Sequence, residues 1–259
     1  MKQMIRVLLV CTVAAWMTRD AFAAEAHPSL AKPGKLLFED DFARSELAPK
    51  WRVGKGSFVV KDGVVTAAEN PEDHHGAYAY IKPPFEFKDI IAEFSIKLDG
   101  SRACNFMIND SKYKESHAGH ILRATFLPGK VSVADYKFGA MKNDIFEKNK
   151  DPKTTPEEKK KLSESIKDKQ AVFKANEDLS QWHQMRVEIV GDEMLVSIDG
   201  KPAGYIKSPG IDHPTKNALG FEIAGKSTEL KNVKVWEATP SPEWSAHREA
   251  VLAELHKLQ

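Results

Sequence analysis

Cysteine is almost missing from this chain, which has 259 residues but only two cysteines, Cys11 and Cys104. Cys11 lies in a leading segment that we expect to be removed, so the remaining chain is predicted to form no internal disulfide. Its stability must then come from a packed core. We predict that Cys104 is a small buried hydrophobe rather than a nucleophile, because no assisting group is evident near it.

Neither positive nor negative charge is in marked excess. The sequence contains 38 Lys and Arg against 37 Asp and Glu, which gives a formal net charge of +1 at pH 7. A nearly neutral chain has no electrostatic reason to bind nucleic acid or an anionic membrane surface. We therefore predict that its partners do not include nucleic acid.

Long hydrophobic runs are absent after the first residues. The apolar run from Val7 to Met17 follows Lys2 and Arg6 and is too short to span a membrane. Ala21-Phe22-Ala23 then supplies the small-x-small pattern of a cleavage site. We predict a signal peptide over residues 1–23, no membrane span, and a secreted protein that is periplasmic or extracellular.

Two common catalytic signatures are also missing. The sequence has no G-x-S-x-G elbow, which would present a nucleophilic serine, and no glycine-rich loop of the kind that holds phosphate groups. Local motifs therefore give no support to a serine hydrolase or a nucleotide-binding protein.

Alternation of apolar and polar residues is the dominant pattern that is present. Residues 182–207 show it most clearly, because Val187 and Ile189 alternate with the charged residues Arg186 and Glu188. Tight turns follow at Gly191-Asp192 and Asp199-Gly200. Asp-Gly suits the type I′ turn, whose two central residues both need positive φ. The segment is therefore predicted to form three antiparallel strands with one buried face.

Similar turn-bounded segments recur along the chain, and the longest has apolar residues at alternate positions from Ile90 to Leu98. After a lead-in at residues 24–35, the segments predict an all-β, antiparallel jelly-roll β-sandwich over residues 36–238. The other predicted strands cover residues 36–42, 51–53, 57–60, 64–68, 77–82, 102–109, 119–126, 130–137, 218–224 and 230–237.

A charged helical insertion interrupts the strands at about residues 150–178. Thr155 can cap a helix that begins at Pro156, and Glu158 completes a capping box. We predict a helix from Pro156 to Lys174 that lies solvated across a sheet edge. Acidic residues alternate with its lysines, which argues against a nucleic-acid arm.

The C-terminal segment, residues 239–259, is predicted to be an amphipathic helix from Glu243 to Gln259 after a stiff hinge at Thr239–Pro242. Ser241 is its expected cap, and an apolar stripe follows one face. Docking on its own domain is the expected role, and a dimer contact or tether is the alternative. Trp244 is expected to be the tryptophan most exposed to solvent.

Three segments in this order resemble a known superfamily: LLFEDDF at residues 36–42, GSFVVKDGVV at 56–65 and WHQMRVEIVGDEMLVSIDGK at 182–201. The chain resembles the concanavalin A-like lectin/glucanase superfamily and, within it, secreted bacterial 3-keto-disaccharide hydrolase-type domains of unknown function. The resemblance covers residues 36–237. It implies a jelly roll whose concave sheet faces carbohydrate.

One feature of the classical glucanases in that superfamily is missing. Retaining members place two carboxylates on one strand as E-x-D-x-E, about 5 Å apart. Here Glu93 has Ser95 and Lys97 as its neighbours on the same strand face. The sequence therefore disfavours double displacement, and the resemblance transfers no catalytic residue to this chain.

Two histidine clusters can be considered as metal ligands. They comprise His74 and His75, which follow Asp73, and the pair His117 and His120. Imidazole and carboxylate groups would suit zinc or another divalent cation if the two loops met. The alternative is that all four are exposed loop histidines, so that no cofactor is bound.

A second set of residues shares one sheet face. Arg123 and Glu222 each lie opposite the apolar face of their strand, and Glu222 stands among small residues. Asn105, Asn109 and Tyr136 can join them as hydrogen-bonding and stacking groups for a sugar. We predict a carbohydrate groove here. A solvent-facing polar surface is the alternative.

Three functions follow from this reading. A glycoside or 3-keto-glycoside hydrolase would use Glu222 or His75 as its general acid or base. A non-catalytic carbohydrate-binding module would need only the Asn, Arg and Tyr contacts. A structural or interaction protein of the cell envelope would use the two helices. The sequence favours no oligomeric state.

Overall fold

The computed structural model describes residues 28–259, so the predicted signal peptide lies outside the described residues. This part of the chain forms 15 β-strands and three α-helices. The strands are β1 (Ala31–Asp40), β2 (Trp51–Lys55), β3 (Ser57–Lys61), β4 (Val64–Ala68), β5 (Ala77–Ile81), β6 (Ile90–Leu98), β7 (Ser101–Asn109), β8 (His120–Leu127), β9 (Lys130–Asp135), β10 (Gln170–Lys174), β11 (His183–Val190), β12 (Glu193–Ile198), β13 (Lys201–Lys207), β14 (Ala218–Gly225) and β15 (Thr228–Pro240). The helices are α1 (Asn143–Lys150), α2 (Pro156–Ser165) and α3 (Trp244–His256).

The strands form two antiparallel sheets. The eight-stranded sheet has the order β13-β12-β11-β6-β15-β4-β3, and β1 also pairs with β15. The seven-stranded sheet has the order β10-β9-β8-β7-β14-β5-β2. Strands far apart in sequence are neighbours in both sheets, and the two sheets pack face to face as a jelly-roll sandwich. The predicted fold class is confirmed.

The core lies between the sheets and contains the apolar residues of each alternating strand. Phe94 of the eight-stranded sheet stacks on Phe106 of the other sheet, with ring centroids 5.6 Å apart. Its ring also meets Phe221 edge to face at 4.9 Å. Burying each such ring contributes about 2 kcal/mol before entropy is counted. Cys104 is fully buried in the same core, as predicted.

The three-stranded segment predicted at residues 182–207 forms as β11, β12 and β13. Asp199 and Gly200 have φ of 48° and 79°, which is the left-handed geometry that a type I′ hairpin requires. The same pattern that turns Val187 inward directs Arg186 to the outer face of the eight-stranded sheet.

Arg186 is the centre of a paired charge network on that outer face. Its guanidinium bonds Glu93 on β6 and donates twice to Glu188, at 3.0 and 2.9 Å. Glu188 is only 1% exposed, and it also accepts from the backbone N–H of Leu30 at 3.1 Å and from the Ser29 hydroxyl. The buried carboxylate is thus satisfied by donors from two segments.

The helical insertion differs from the prediction in its second half. The capping box at Thr155 and Glu158 is present, but α2 ends at Ser165 rather than Lys174. Residues 170–174 instead form β10, which pairs with β9 and buries Phe173. The edge of the seven-stranded sheet supplies backbone partners and a core site for Phe173, and these outweigh local helix propensity. Helix α1 was not predicted.

Two further boundaries differ from the prediction. β1 begins at Ala31 within the expected lead-in, and Thr239 and Pro240 belong to β15 rather than to a hinge, because both pair with β1. In α3 the N-cap is Glu243, without a side-chain cap bond. Trp244 is only 7% exposed, because α3 docks its apolar stripe on its own chain.

No helix within residues 28–259 is long and apolar enough to cross a membrane.

Candidate functional site

A pocket of about 500 Å³ lies on the outer face of the seven-stranded sheet. Strand pairing places its floor residues in rows across the sheet. One row runs from Tyr80 through Gly220 and Met107 to Arg123. Glu222 belongs to the next row, beside Tyr78. The pocket is lined by Arg52, His75, Tyr78, Tyr80, Met107, Asn109, Ser111, His117, Ala118, His120, Arg123, Met141, Phe146, Lys150, Ala218 and Glu222.

The centre of the pocket is an ion pair that reaches across β7. The Arg123 Nη2 atom lies 2.8 Å from the Glu222 Oε2 atom, and both side chains are about one-seventh exposed. The guanidinium also lies over the Tyr136 ring, 4.9 Å from its centroid. The Arg123 Nε–H is buried and has no hydrogen-bond partner among the described residues. An unsatisfied donor therefore lies beside a carboxylate.

A hydrogen-bond relay orients the groups next to this ion pair. The His120 Nδ1–H donates to the Asn109 Oδ1 atom at 2.9 Å, and the Asn109 Nδ2–H donates to the Tyr80 hydroxyl oxygen at 2.8 Å. Since the Tyr80 oxygen accepts in this relay, its own proton is free for a ligand. Asn109 is thus a pocket residue that sets the direction of the relay.

Burial shifts the pKa of two members of this relay. Desolvation, assisted by the nearby Arg123 charge, lowers the pKa of His120 to about 3, so the imidazole is neutral at physiological pH. Desolvation also raises the pKa of Tyr80 above its ordinary value, despite the Asn109 hydrogen bond. The pocket therefore presents a protonated phenol beside a neutral imidazole.

The other two predicted sugar contacts, Asn105 and Tyr136, lie next to the pocket but do not line it. Asn105 is 4% exposed; its Nδ2–H donates to the backbone oxygen of Glu222 at 3.3 Å, and its Oδ1 atom accepts from Thr125 at 2.7 Å. Tyr136 packs under Arg123, and burial raises its pKa. Both side chains support the ion pair from beneath.

Three glycines leave room for pocket side chains. A Cβ atom at Gly76 would lie 2.7 Å from the Glu222 Oε1 atom, and one at Gly54 would lie 1.9 Å from the Tyr78 ring. At Gly220 it would lie 2.6 Å from the Tyr80 ring. These positions need glycine because a side chain approaches the backbone closely.

The four histidines are not assembled as a ligand set. Within residues 28–259 no three His, Cys, Asp or Glu side chains are placed to hold a metal ion. His75, His117 and His120 line the pocket, but His117 is stacked on Phe146 and His120 uses its Nδ1 atom in the relay. His74 lies outside the pocket, at the end of a short turn.

Several lining residues were not predicted. Tyr78 and Tyr80 alternate with buried alanines in β5, so the period-2 pattern could have placed them on the outer face. Met141, Phe146 and Lys150 come from α1 and the turn before it. Only the tertiary fold brings that helix over the sheet, so local sequence gave no signal for it.

A larger cavity of about 680 Å³ lies on the outer face of the eight-stranded sheet. Its buried carboxylate, Asp40, already accepts from Arg44 at 2.7 Å and from the Trp51 indole at 2.7 Å. Although burial opposes it, this set of donors lowers the pKa of Asp40. Another lining group, Glu93, is bound by Arg186. We therefore place the candidate site in the smaller pocket.

The fold is a jelly-roll sandwich with concanavalin A-like architecture. Three solved structures share the fold at low identity. A galectin-like protein of unknown function from Bacillus subtilis has a TM-score of 0.56 and 13% identity, over 82% of this chain and 100% of its own. The endo-β-1,3-glucanase from Pyrococcus furiosus has a TM-score of 0.54 and 12% identity, over 83% and 100%. Porphyranase B from Zobellia galactanivorans has a TM-score of 0.52 and 13% identity, over 79% and 93%.

A sequence profile identifies the family of this chain. Residues 34–236 match the profile described as the 3-keto-alpha-glucoside-1,2-lyase-like domain, and the chain belongs to this family. A comparison with curated proteins gives no match. The predicted resemblance to 3-keto-disaccharide hydrolase-type domains is confirmed.

Proposed function

We propose that the chain binds a 3-keto-α-glucoside in the pocket around Arg123 and Glu222 and cleaves it by 1,2-elimination. The observation that carries the proposal is the placement of Glu222. It is the one carboxylate among the described lining residues, and it faces neutral and cationic donors. A single carboxylate does not suit double displacement, which needs two. It does suit removal of one proton from carbon, and the family description names a 1,2-lyase.

The proposed reaction follows from the acidity of a C–H bond beside a ketone. A carbonyl at C3 acidifies the hydrogen on C2, so a carboxylate can remove it. The electron pair of the C2–H bond then forms a C1=C2 double bond as the C1–O1 bond breaks. The leaving oxygen takes up a proton, and no water is consumed. Negative charge develops on the C3 oxygen in the transition state, where a positioned donor lowers the barrier.

The residues of the pocket match these needs. Glu222 would act as the base, and the Arg123 guanidinium, which lines the pocket and whose side chain is 13% exposed, would donate to the C3 oxygen. Tyr80 would supply the proton to the leaving oxygen, since its raised pKa keeps it protonated and Asn109 occupies its oxygen. His75, at the pocket wall, is the alternative proton carrier predicted from the sequence.

One observation favours a second candidate function, carbohydrate binding without cleavage. The Glu222 carboxylate is already engaged by Arg123 at 2.8 Å, so the pair is satisfied without a reacting proton. In a binding module the same pair would only donate and accept hydrogen bonds with sugar hydroxyls. Turnover and binding must therefore be measured separately.

The test uses methyl 3-keto-α-glucoside and methyl α-glucoside with the wild type, Glu222→Gln and the control Glu229→Gln. Glu229 is also a paired carboxylate, 3.2 Å from Lys97, but it lies on the eight-stranded sheet. We expect release of methanol and the conjugated ketone from the 3-keto substrate only. Glu222→Gln should lose at least about 100-fold in kcat, whereas Glu229→Gln should keep the wild-type rate.

Each other result has a definite meaning. Full activity in Glu222→Gln would remove Glu222 as the base. Binding of either sugar by the wild type without turnover would support the second candidate. Absence of both binding and turnover would overturn both candidates and favour the interaction protein of the cell envelope.

A further inference from the structure

The pocket has two walls of different chemistry. The wall formed by β2, β5 and β14 is polar and carries Arg52, Tyr78, Tyr80 and Glu222. The opposite side, formed from β7, the turn at residues 117–119 and the α1 region, carries apolar groups next to the polar residues Asn109, Ser111 and Lys150. We call the set His117, Ala118, Met141 and Phe146 the α1 wall.

The α1 wall is held in place by local contacts. The Phe146 ring lies parallel to the His117 ring, with 3.8 Å between centroids and 13° between planes. The backbone N–H of His117 donates to the Met141 oxygen at 2.7 Å, and Ser116 forms an antiparallel bridge with Lys142. The stacked rings and Met141 therefore keep a fixed position beside the sheet.

A sugar ring would use the α1 wall only in part, because only its C–H faces can pack on aromatic side chains. Its hydroxyls would lose hydrogen bonds to water there and would find thioether, methyl and phenyl groups in their place. A flat apolar group gains from the same contacts, because aromatic faces and methionine sulfur both favour an aromatic partner. A volume of about 500 Å³ is within the range that holds a ligand larger than one sugar ring.

We propose that the α1 wall binds an aromatic aglycone, so that this pocket prefers an aryl glucoside to an alkyl glucoside. The proposal rests on the proposed function, because the polar wall is taken to hold the glucosyl ring. The C1–O1 bond would then lie between the two walls, near the Tyr80 hydroxyl. An aromatic leaving group would also depart as a phenol, which needs less help from a proton donor than an alkyl alcohol.

The experiment compares the affinities of phenyl and methyl α-glucosides and of their 3-keto forms by calorimetry, and the 3-keto forms are measured in proteins that also carry Glu222→Gln, so that they are not cleaved. It uses the wild type, Phe146→Ala, Phe146→Tyr and the control Phe138→Ala. Phe138 is another partly exposed aromatic residue, 36% exposed, and it does not line the pocket. Thermal unfolding of each variant verifies that it is folded.

We expect the wild type to bind the phenyl glucosides at least about tenfold more tightly than the methyl glucosides. Phe146→Ala should lose this preference and keep the methyl affinity, while Phe146→Tyr and Phe138→Ala should retain the preference. Equal affinity of the wild type for phenyl and methyl glucosides would overturn the aromatic aglycone alone. Failure to bind any of the four would overturn it together with the proposed function. Should Phe146→Ala not fold, the wild-type ratio and Phe146→Tyr decide the question.

Discussion

Two arginines on the outer faces of the two sheets show how differently the faces are used. Arg186, on the eight-stranded sheet, has all its nitrogens bound by Glu93, Glu188 and Ser29. Arg123, on the seven-stranded sheet, has one carboxylate partner and a buried Nε–H without a partner. The Arg186 network contributes to stability, whereas the Arg123–Glu222 pair lines an open pocket, where it can exchange hydrogen bonds with a ligand.

The largest expected effect is on stability, from Arg186→Ala. The change leaves Glu188, which is 1% exposed, without its guanidinium partner, and should lower the free energy of unfolding by about 3 kcal/mol. Ligand affinity in the pocket should not change. Arg123→Ala, the matched variant, should leave the free energy of unfolding nearly unchanged and should weaken ligand affinity, since its partner Glu222 faces an open pocket. Urea unfolding measures the free energy of unfolding, and calorimetry measures ligand affinity. A large stability loss in Arg123→Ala would show that this arginine, too, has a structural role.

The second largest effect, on stability and on turnover, is expected from Gly76→Ala. The new Cβ would lie 2.7 Å from the Glu222 Oε1 atom and 2.9 Å from the backbone oxygen of Ile223. We expect a loss of about 2 kcal/mol in stability and a displaced carboxylate, with turnover reduced more than ground-state binding. Gly34→Ala on β1 is the control, because its closest contact is 3.3 Å. Equal kinetics in Gly76→Ala and Gly34→Ala would contradict a positioning role for Gly76.

Two histidines should give opposite slopes of stability with pH. The folded-state pKa of His120 is lowered to about 3, so the unfolded chain binds its proton first as the pH falls below about 6.5. Stability is then lost with falling pH at up to about 1.4 kcal/mol per unit, and His120→Gln should reduce this loss. His183 is the contrast: burial opposes its charge, but the hydrogen bond to Asp199 raises its pKa. The stability that protonated His183 gains from Asp199 is present at low pH and is lost as the pH rises. His183→Gln should remove this stabilisation. Unfolding curves from pH 4 to 8 test both signs, and a common sign would refute the assignment.

The smallest effect concerns Lys150, at the rim of the α1 wall. An exposed cation there should favour an aryl aglycone that carries a carboxylate, by about twofold to threefold. Lys150→Met should abolish that preference while leaving phenyl α-glucoside affinity unchanged, and added salt should weaken it in the wild type. Lys153→Met, a substitution outside the pocket, serves as the control; an equal response from it would attribute the effect to general surface charge.

The sequence predicts the sandwich well because period-2 alternation and tight turns are local signals. Arg123, Asn109 and Glu222 could be placed on one face for the same reason, since strand periodicity determines the face of each side chain. The pairing of β7 with β14, which brings Asn105 beneath Glu222, depends on contacts distant in sequence. Helix propensity is likewise a local property, and it predicted a helix α2 that is too long. It carries no information about the sheet edge with which residues 170–174 pair.

Cys104 can report how often the core of the molecule opens. It is the one cysteine of the described residues, fully buried between the sheets, and burial raises its thiol pKa well above the ordinary range. A thiol reagent can modify it only after the two sheets separate, since the thiolate needs both exposure and solvation. The labelling rate in native buffer therefore counts the openings of the core, and a bound ligand that holds the sandwich closed should slow that rate in proportion to its occupancy.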